Sequence, residues 1–262
     1  METEDLARRR NGEIVAARVD LEGADGNSGK ASLEVESGEM TLASAAYHQI
    51  LDDILWGRLE AGRKLRLVDL KQKYDVGSSP LREALNRLAE SGFIQREENK
   101  GFRVRPMTAE ELEELITTRC WLEEVALRDS IAHGDQAWES RVVLALHWLM
   151  RGHRSGDGQL RTTPEWEDLH RKFHQALLSA CRSRTLIRFC DQLMYQTLQY
   201  RNLSGTVKYR EGHERDEHRS IAEAALDRDA ETAVRNLIVH YRNSQEVVTR
   251  SGALERRVAE AK

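Results

Sequence analysis

The chain carries nine histidines, and imidazole is a good ligand for Zn, Ni, Fe and Cu. In Asp168-Leu-His-Arg-Lys-Phe-His174, His170 and His174 are four residues apart. On a helix that spacing puts both rings on one face, either as two ligands to one ion or as polar core residues. His218 lies in Asp216-Glu-His-Arg-Ser-Ile221, and His240 in the mostly apolar Leu237-Ile-Val-His-Tyr241. Glu167, three before His170, reads as a solvated first-turn carboxylate or as a group that orients a ligand. His48, His133, His147, His153 and His213 fit no motif and read as surface or packing residues. The three cysteines, Cys120, Cys181 and Cys190, form no CxxC pair. Their odd number argues against a secreted disulfide scaffold.

The elements that must position these groups are mainly helical. Thr108-Ala-Glu-Glu111 has the form of a capping box, and Asp135, Thr163 and Asp229 are further N-cap candidates. Six or seven helices are predicted from 108 to about 250, packed as an antiparallel all-α bundle. Upstream, residues 45–59 show helical periodicity ended by Gly62, and a short helix is predicted over about 67–73. A turn, Asp75-Val-Gly-Ser-Ser79, leads to a third helix from Pro80 to Ser91. Phe93–Arg96 and Gly101–Arg105 alternate like strands, joined by Glu97-Glu-Asn-Lys-Gly101. Helix, helix, turn, helix and a two-stranded wing make a winged helix-turn-helix.

Composition bounds the function. The 262 residues hold 40 Lys plus Arg and 44 Asp plus Glu, a net charge of −4. That excludes a uniformly basic nucleic-acid binder but not a basic module inside an acidic chain. Residues 1–43 carry 5 basic and 10 acidic side chains, whereas 44–105 carry 12 and 9 and form the positive block. Residues 1–43 therefore read as a disordered acidic tail, 44–105 as the DNA-binding domain, 106–250 as the helical domain and 251–262 as a frayed end. No apolar run is long enough to span a bilayer and no signal peptide is evident, so the expected location is the cytoplasm.

The segment from Leu65 to Arg105 resembles the GntR family of bacterial transcription regulators. The resemblance rests on Gly62-Arg-Lys-Leu65, Leu70, Tyr74-Asp-Val76, Ser79-Pro-Leu-Arg-Glu-Ala-Leu85, Arg87-Leu88, Ser91-Gly92-Phe93 and Gly101-Phe-Arg-Val104. It implies that the Ser79–Leu85 stretch opens a recognition helix, whose first turns reach base edges in the major groove. Ser79 just before that helix can hold a phosphate, and Arg82 has the fork geometry for guanine. Arg87, Lys100 and Arg103 are further candidates for DNA contact. Ser78 stands where this branch often carries an arginine, so operator sequence does not carry over.

Residues 108–250 are similar to the FCD effector domain of the FadR-like branch. The similarity implies a metal site with one ligand from Phe173-His174 and two from His218 and His240, 22 residues apart. His170 takes the place where the family most often has a carboxylate. Four neutral imidazoles leave an ion its full charge, which favours an added anion. Zn or Ni is the expected divalent metal. FCD domains bind small carboxylates beside the metal, and a guanidinium can hold a carboxylate by two parallel bonds. Arg119 and Arg201 are the candidate clamps. Gln199-Tyr-Arg-Asn-Leu203 and Ala180-Cys-Arg-Ser183 also look like the carbon-starvation-induced, dicarboxylate-responsive repressor subgroup. The expected protein is a homodimeric repressor, not an enzyme, that binds a pseudo-palindromic double-stranded operator under control of a small organic acid. Alternatives are a helical metalloenzyme using Glu167 as base, or a DNA-binding protein with a purely structural metal.

Overall fold

Thr41 opens the first helix, its hydroxyl accepting from the Ser44 amide at 3.1 Å. The computed structural model describes residues 40–98, 100–152, 163–203, 213–252 and 254. Most of the two segments read as tails, and His153, lie outside the described residues. Helix α1 (Leu42–Leu55) starts two residues inside the stretch read as tail. It ends before Gly57, whose φ is +71°, rather than at Gly62.

Strand β1 (Lys64–Leu65), α2 (Leu67–Tyr74), α3 (Ser78–Glu90), β2 (Ile94–Glu97) and β3 (Gly101–Val104) complete the winged helix. The recognition helix α3 begins at Ser78, two residues earlier than the proline suggested, so Ser78 and Ser79 are its first residues. The wing has three strands in the order β1-β3-β2 rather than two. β1 is only two residues long, with Leu65 opposite Phe102. Two residues carry no periodicity, so that strand was invisible in sequence. Leu81, Ala84, Leu85 and Leu88 form the buried stripe of α3, packed with Ile50, Ile54, Phe93 and Val104.

Six helices follow among the described residues: α4 (Ala109–His133), α5 (Gln136–Arg151), α6 (Pro164–Leu178), α7 (Arg184–Leu203), α8 (His213–Leu226) and α9 (Ala230–Arg250). The four expected caps form: Thr108 accepts from Glu111 N, Asp135 from Trp138 N, Thr163 from Trp166 N and Asp229 from Thr232 N. Helix α4 is central, packing on α6, α7 and α9. Ser130 Oγ and Trp138 Nε1 both donate to the Leu177 carbonyl, at 2.7 and 3.2 Å, which pins the end of α6.

Helix α7 also seats the winged helix. Gln196 Nε2 donates to the Ser91 carbonyl at 2.8 Å, and Asn202 Nδ2 donates to the Leu55 carbonyl at 2.9 Å. Leu198 joins the core of the DNA-binding domain, with Tyr195 packed against it. This approach is close at Gly92, where φ is +77° and a Cβ would lie 2.7 Å from Gln196 Nε2.

Gly92→Ala is therefore expected to lower stability by about 1–2 kcal/mol, the typical cost of a left-handed non-glycine residue, plus the contact with Gln196. Urea unfolding of Gly92→Ala with and without Gln196→Ala checks this. The second change should recover only the contact part, and full recovery would show that backbone strain contributes nothing.

Candidate metal centre and DNA-binding surface

Helices α6, α8 and α9 bring four imidazoles together in the bundle core. His170, His174, His218 and His240 are each about 1% exposed. One ring nitrogen from each lies within 4.8 Å of all the others. The i, i+4 spacing stacks His170 and His174 along α6, with their Nε2 atoms 3.1 Å apart. Four nitrogens around an ion at about 2.0–2.1 Å would lie roughly 3.3 Å from one another in a tetrahedron.

The surrounding groups set which nitrogens face inward. Tyr241 OH donates to Glu123 Oε2, so its oxygen accepts from His174 Nδ1 at 3.1 Å. His240 Nδ1 faces Glu217 Oε2 at 2.8 Å. Both rings thus carry their proton on Nδ1 and turn a bare Nε2 toward the cage. A fixed tautomer of this kind is how outer partners orient metal-binding histidines. His240 Nε2 and His170 Nδ1 are buried without a hydrogen-bond partner. Burial, and then Arg201, hold His170 well below the usual histidine pKa. Burial, and then His240, do the same for His174. Ring nitrogens converging in a buried site fit a divalent cation.

The two expected carboxylate clamps take different positions. Arg119 is buried, with Nε donating to Glu123 at 2.5 Å, Nη1 to Thr197 at 3.1 Å and Nη2 to Tyr241 OH at 3.0 Å. Burial disfavours its charge, but Glu123 and Tyr241 outweigh that and raise its pKa above the ordinary arginine value. Arg201 Nη2 donates to Glu167 Oε2 at 2.6 Å. Both guanidiniums therefore hold protein carboxylates instead of standing open. Glu167 is buried, not solvated, because its helix turns its first-turn face onto α7. Its Oε2 pairs with Arg201 and lies 3.6 Å from His170 Nδ1.

Glu123, Tyr241, Thr197 and Glu217 were missed in the sequence. Arg119 and Glu123 at i, i+4 on α4 were the available signal for the first. Nothing in spacing marks Tyr241 or Thr197, since each meets Arg119 only across the bundle.

The surface of α3 forms the second candidate site. Gly77 caps this helix without a side-chain hydrogen bond, so its first amides stay available to an anion. Ser78, Ser79 and Arg82 are exposed beside them, and Arg82 has no hydrogen bond or ion pair among the described residues. Lys100 is exposed on the wing. Arg87 and Arg103 do structural duty. Arg87 reaches Ser44 Oγ at 3.2 Å and lies 4.5 Å from the Tyr47 ring centroid. Arg103 pairs with Glu97 at 2.7 Å and donates to the Gly62 carbonyl at 2.6 Å. Among the described residues no helix is long and apolar enough to cross a membrane.

A winged helix with an open recognition helix, joined to a helical bundle with a buried ligand cage, defines a DNA-binding transcriptional regulator. Residues 42–104 match the gntR family of bacterial regulatory proteins, and residues 114–243 match the FCD domain. The HTH-type regulator BphR of Paraburkholderia xenovorans is 36% identical over 215 residues, which cover 82% of this chain and 88% of that one. The HTH-type transcriptional repressor GlaR of Escherichia coli is 31% identical over 199 residues, covering 74% and 90%. A GntR regulator from Rhodococcus sp. RHA1 shares the fold at a TM-score of 0.63 and 22% identity, covering 79% of this chain and 97% of that one. The chain belongs to the GntR family and carries an FCD domain; it is a transcriptional regulator and not an enzyme.

Tyr241→Phe removes the hydroxyl that joins His174, Arg119 and Glu123. Loss of such an outer partner typically weakens metal affinity 10–100-fold. Zinc titration calorimetry should show that drop with the helical circular dichroism unchanged; equal affinity would mean that the hydroxyl does not orient His174.

Proposed function

We propose that this regulator is a homodimeric repressor whose operator binding responds to a small organic acid held in the bundle beside a divalent metal, Zn or Ni. The observation that carries this reading is the convergence of His170, His174, His218 and His240 within 4.8 Å in a fully buried site. Burying four imidazoles is costly unless their polar atoms find partners, and a cation supplies one to every inward nitrogen. The bound metal would supply positive charge to an adjacent anion. Arg119 and Arg201 flank the cage and would reach the acid only by sharing it with Glu123 and Glu167.

On DNA, Ser78 and Ser79 hold a phosphate at the start of α3 while Arg82 reads a base edge. Lys100 contacts the backbone from the wing. Arg87 and Arg103 add positive field while bracing α3 and the wing. Two copies on a pseudo-palindromic site place two α3 helices in successive major grooves.

The route between the sites runs through α7. One face meets the cage network, through Thr197 on Arg119 and Arg201 on Glu167. Gln196 and Asn202, to either side of that face, hold Ser91 and Leu55 of the winged helix. The Arg105–Thr108 linker is braced to the same helix, since Tyr200 OH donates to Glu111 Oε2 at 3.0 Å and Arg105 pairs with Glu111 at 2.6 Å. A ligand shifts operator affinity only by its differential affinity for the two arrangements.

Elemental analysis of purified protein beside His174→Ala tests the metal. About one metal per chain, lost in the variant, is expected; equal content in both would refute the cage. Arg82→Ala tests the reading head on a duplex selected from a random pool. A loss of about 1–3 kcal/mol in binding, with relaxed preference at one base pair, is expected for a base-reading arginine. A uniform loss across all sequences would reassign Arg82 to the phosphates.

A further inference from the structure

Helix α3 buries Leu81, Ala84, Leu85 and Leu88. The flank that carries Arg87 is closed, because its guanidinium lies over the Tyr47 ring and donates to Ser44 Oγ of α1. Ser79, Arg82 and Asn86 occupy the outer surface, spaced by three and then four residues. That spacing puts them on one stripe along the helix, and all three are exposed. Ser79 suits a phosphate and Arg82 a base edge, whereas Asn86 has no part in either role.

The Asn86 side chain makes no hydrogen bond among the described residues. Glu83 and Glu90, three residues before it and four after, are exposed and outside any ion pair among the described residues. Two carboxylates repel phosphates, and a neutral amide between them offers no charge in return. The local charge suits an uncharged partner with hydrogen-bonding groups, which is what a base edge presents. The amide carries an acceptor oxygen beside a donor NH2. In the major groove only adenine sets an acceptor, N7, beside a donor, N6–H2. Guanine offers two acceptors there, cytosine a donor, and thymine an acceptor beside a methyl group. Asparagine therefore pairs both of its groups on adenine alone.

We propose that Asn86 is a specificity-determining residue of operator binding and reads one adenine through N7 and N6. This rests on the reading of α3 as the helix in the major groove with Arg82 on a base edge, and it extends that reach by one turn. Asn86 is four residues beyond Arg82, about 6 Å along the helix axis. With α3 running along the groove, that distance spans about two base pairs of roughly 3.4 Å rise. Each operator half-site thus holds an A·T pair about two steps from the pair that Arg82 reads.

The test uses a duplex selected from a random pool by the full wild-type chain, with binding of wild type, Asn86→Ala and Arg82→Ala measured on it and on its single-base-pair variants. Asn86→Ala should bind the selected duplex about 5- to 150-fold more weakly, the span for a bidentate side chain–base pair. Its preference should vanish at one A·T pair and persist elsewhere. Replacing that adenine by 7-deazaadenine, which lacks N7, should weaken the wild type about fivefold or more and leave Asn86→Ala unchanged. The base analogue probes the wild-type chain, so the result does not depend on how the variant folds. Undiminished affinity in Asn86→Ala, or an equal loss to 7-deazaadenine in both proteins, would overturn the assignment. If Arg82→Ala still relaxes its own base pair in that case, the reading of α3 stands without Asn86; if it relaxes none, both readings fail.

Discussion

The helical domain depends on satisfying a cluster of polar groups that it buries at its own centre. Four imidazoles, the Arg119 guanidinium, Glu123, Glu167 and the Tyr241 hydroxyl all lie below 10% exposure. Unpaired, such groups would each cost free energy comparable to a lost hydrogen bond or more. The bundle answers by closing them on one another. Arg119 holds Glu123 and Tyr241, Tyr241 holds His174, and Arg201 holds Glu167 beside His170. Buried polar networks specify geometry strongly where their members are paired, because few other arrangements pair them all. The same closure gathers the four imidazoles, so the constraint that fixes the packing also shapes the cage.

Helix α7 inherits its position from that network. Thr197 and Arg201 bind it to the cage side, and Gln196, Leu198 and Asn202 bind it to the winged helix. A single helix therefore makes polar contacts with two domains. Interfaces packed in this way respond to a ligand by discrete shifts rather than smooth deformation. Gly92 marks how close this approach is, because a Cβ there would displace the end of the Gln196 side chain.

Much of this was legible in sequence because it depends on local chemistry. Cap residues act within one turn, so Thr108, Asp135, Thr163 and Asp229 announced their helices. The stripe of Leu81, Ala84, Leu85 and Leu88 announced the buried face of α3. The pair His170 and His174 announced a shared face because four residues make about one helical turn. The boundaries of α1 and α3 were read two or more residues off. Their true ends rest on Thr41, Gly57 and Gly77, whose roles depend on backbone angles that composition alone does not reveal.

By itself the sequence determined the class of regulator, the recognition helix, the helical effector domain and the four histidines. The winged helix and the helical domain follow from local periodicity and turn chemistry, whereas the class of regulator and the grouping of His218 and His240 with His170 and His174 come from the resemblance to the GntR and FCD families. Only the tertiary structure decided what Arg119, Arg201 and Glu167 do. Arg119 is 78 residues from Thr197 and 122 from Tyr241, and Arg201 is 34 from Glu167. A charged side chain looks the same in sequence whether it faces water, a ligand or another buried charge. The choice is made by which helix packs over it, and that is fixed by the closing of the whole bundle.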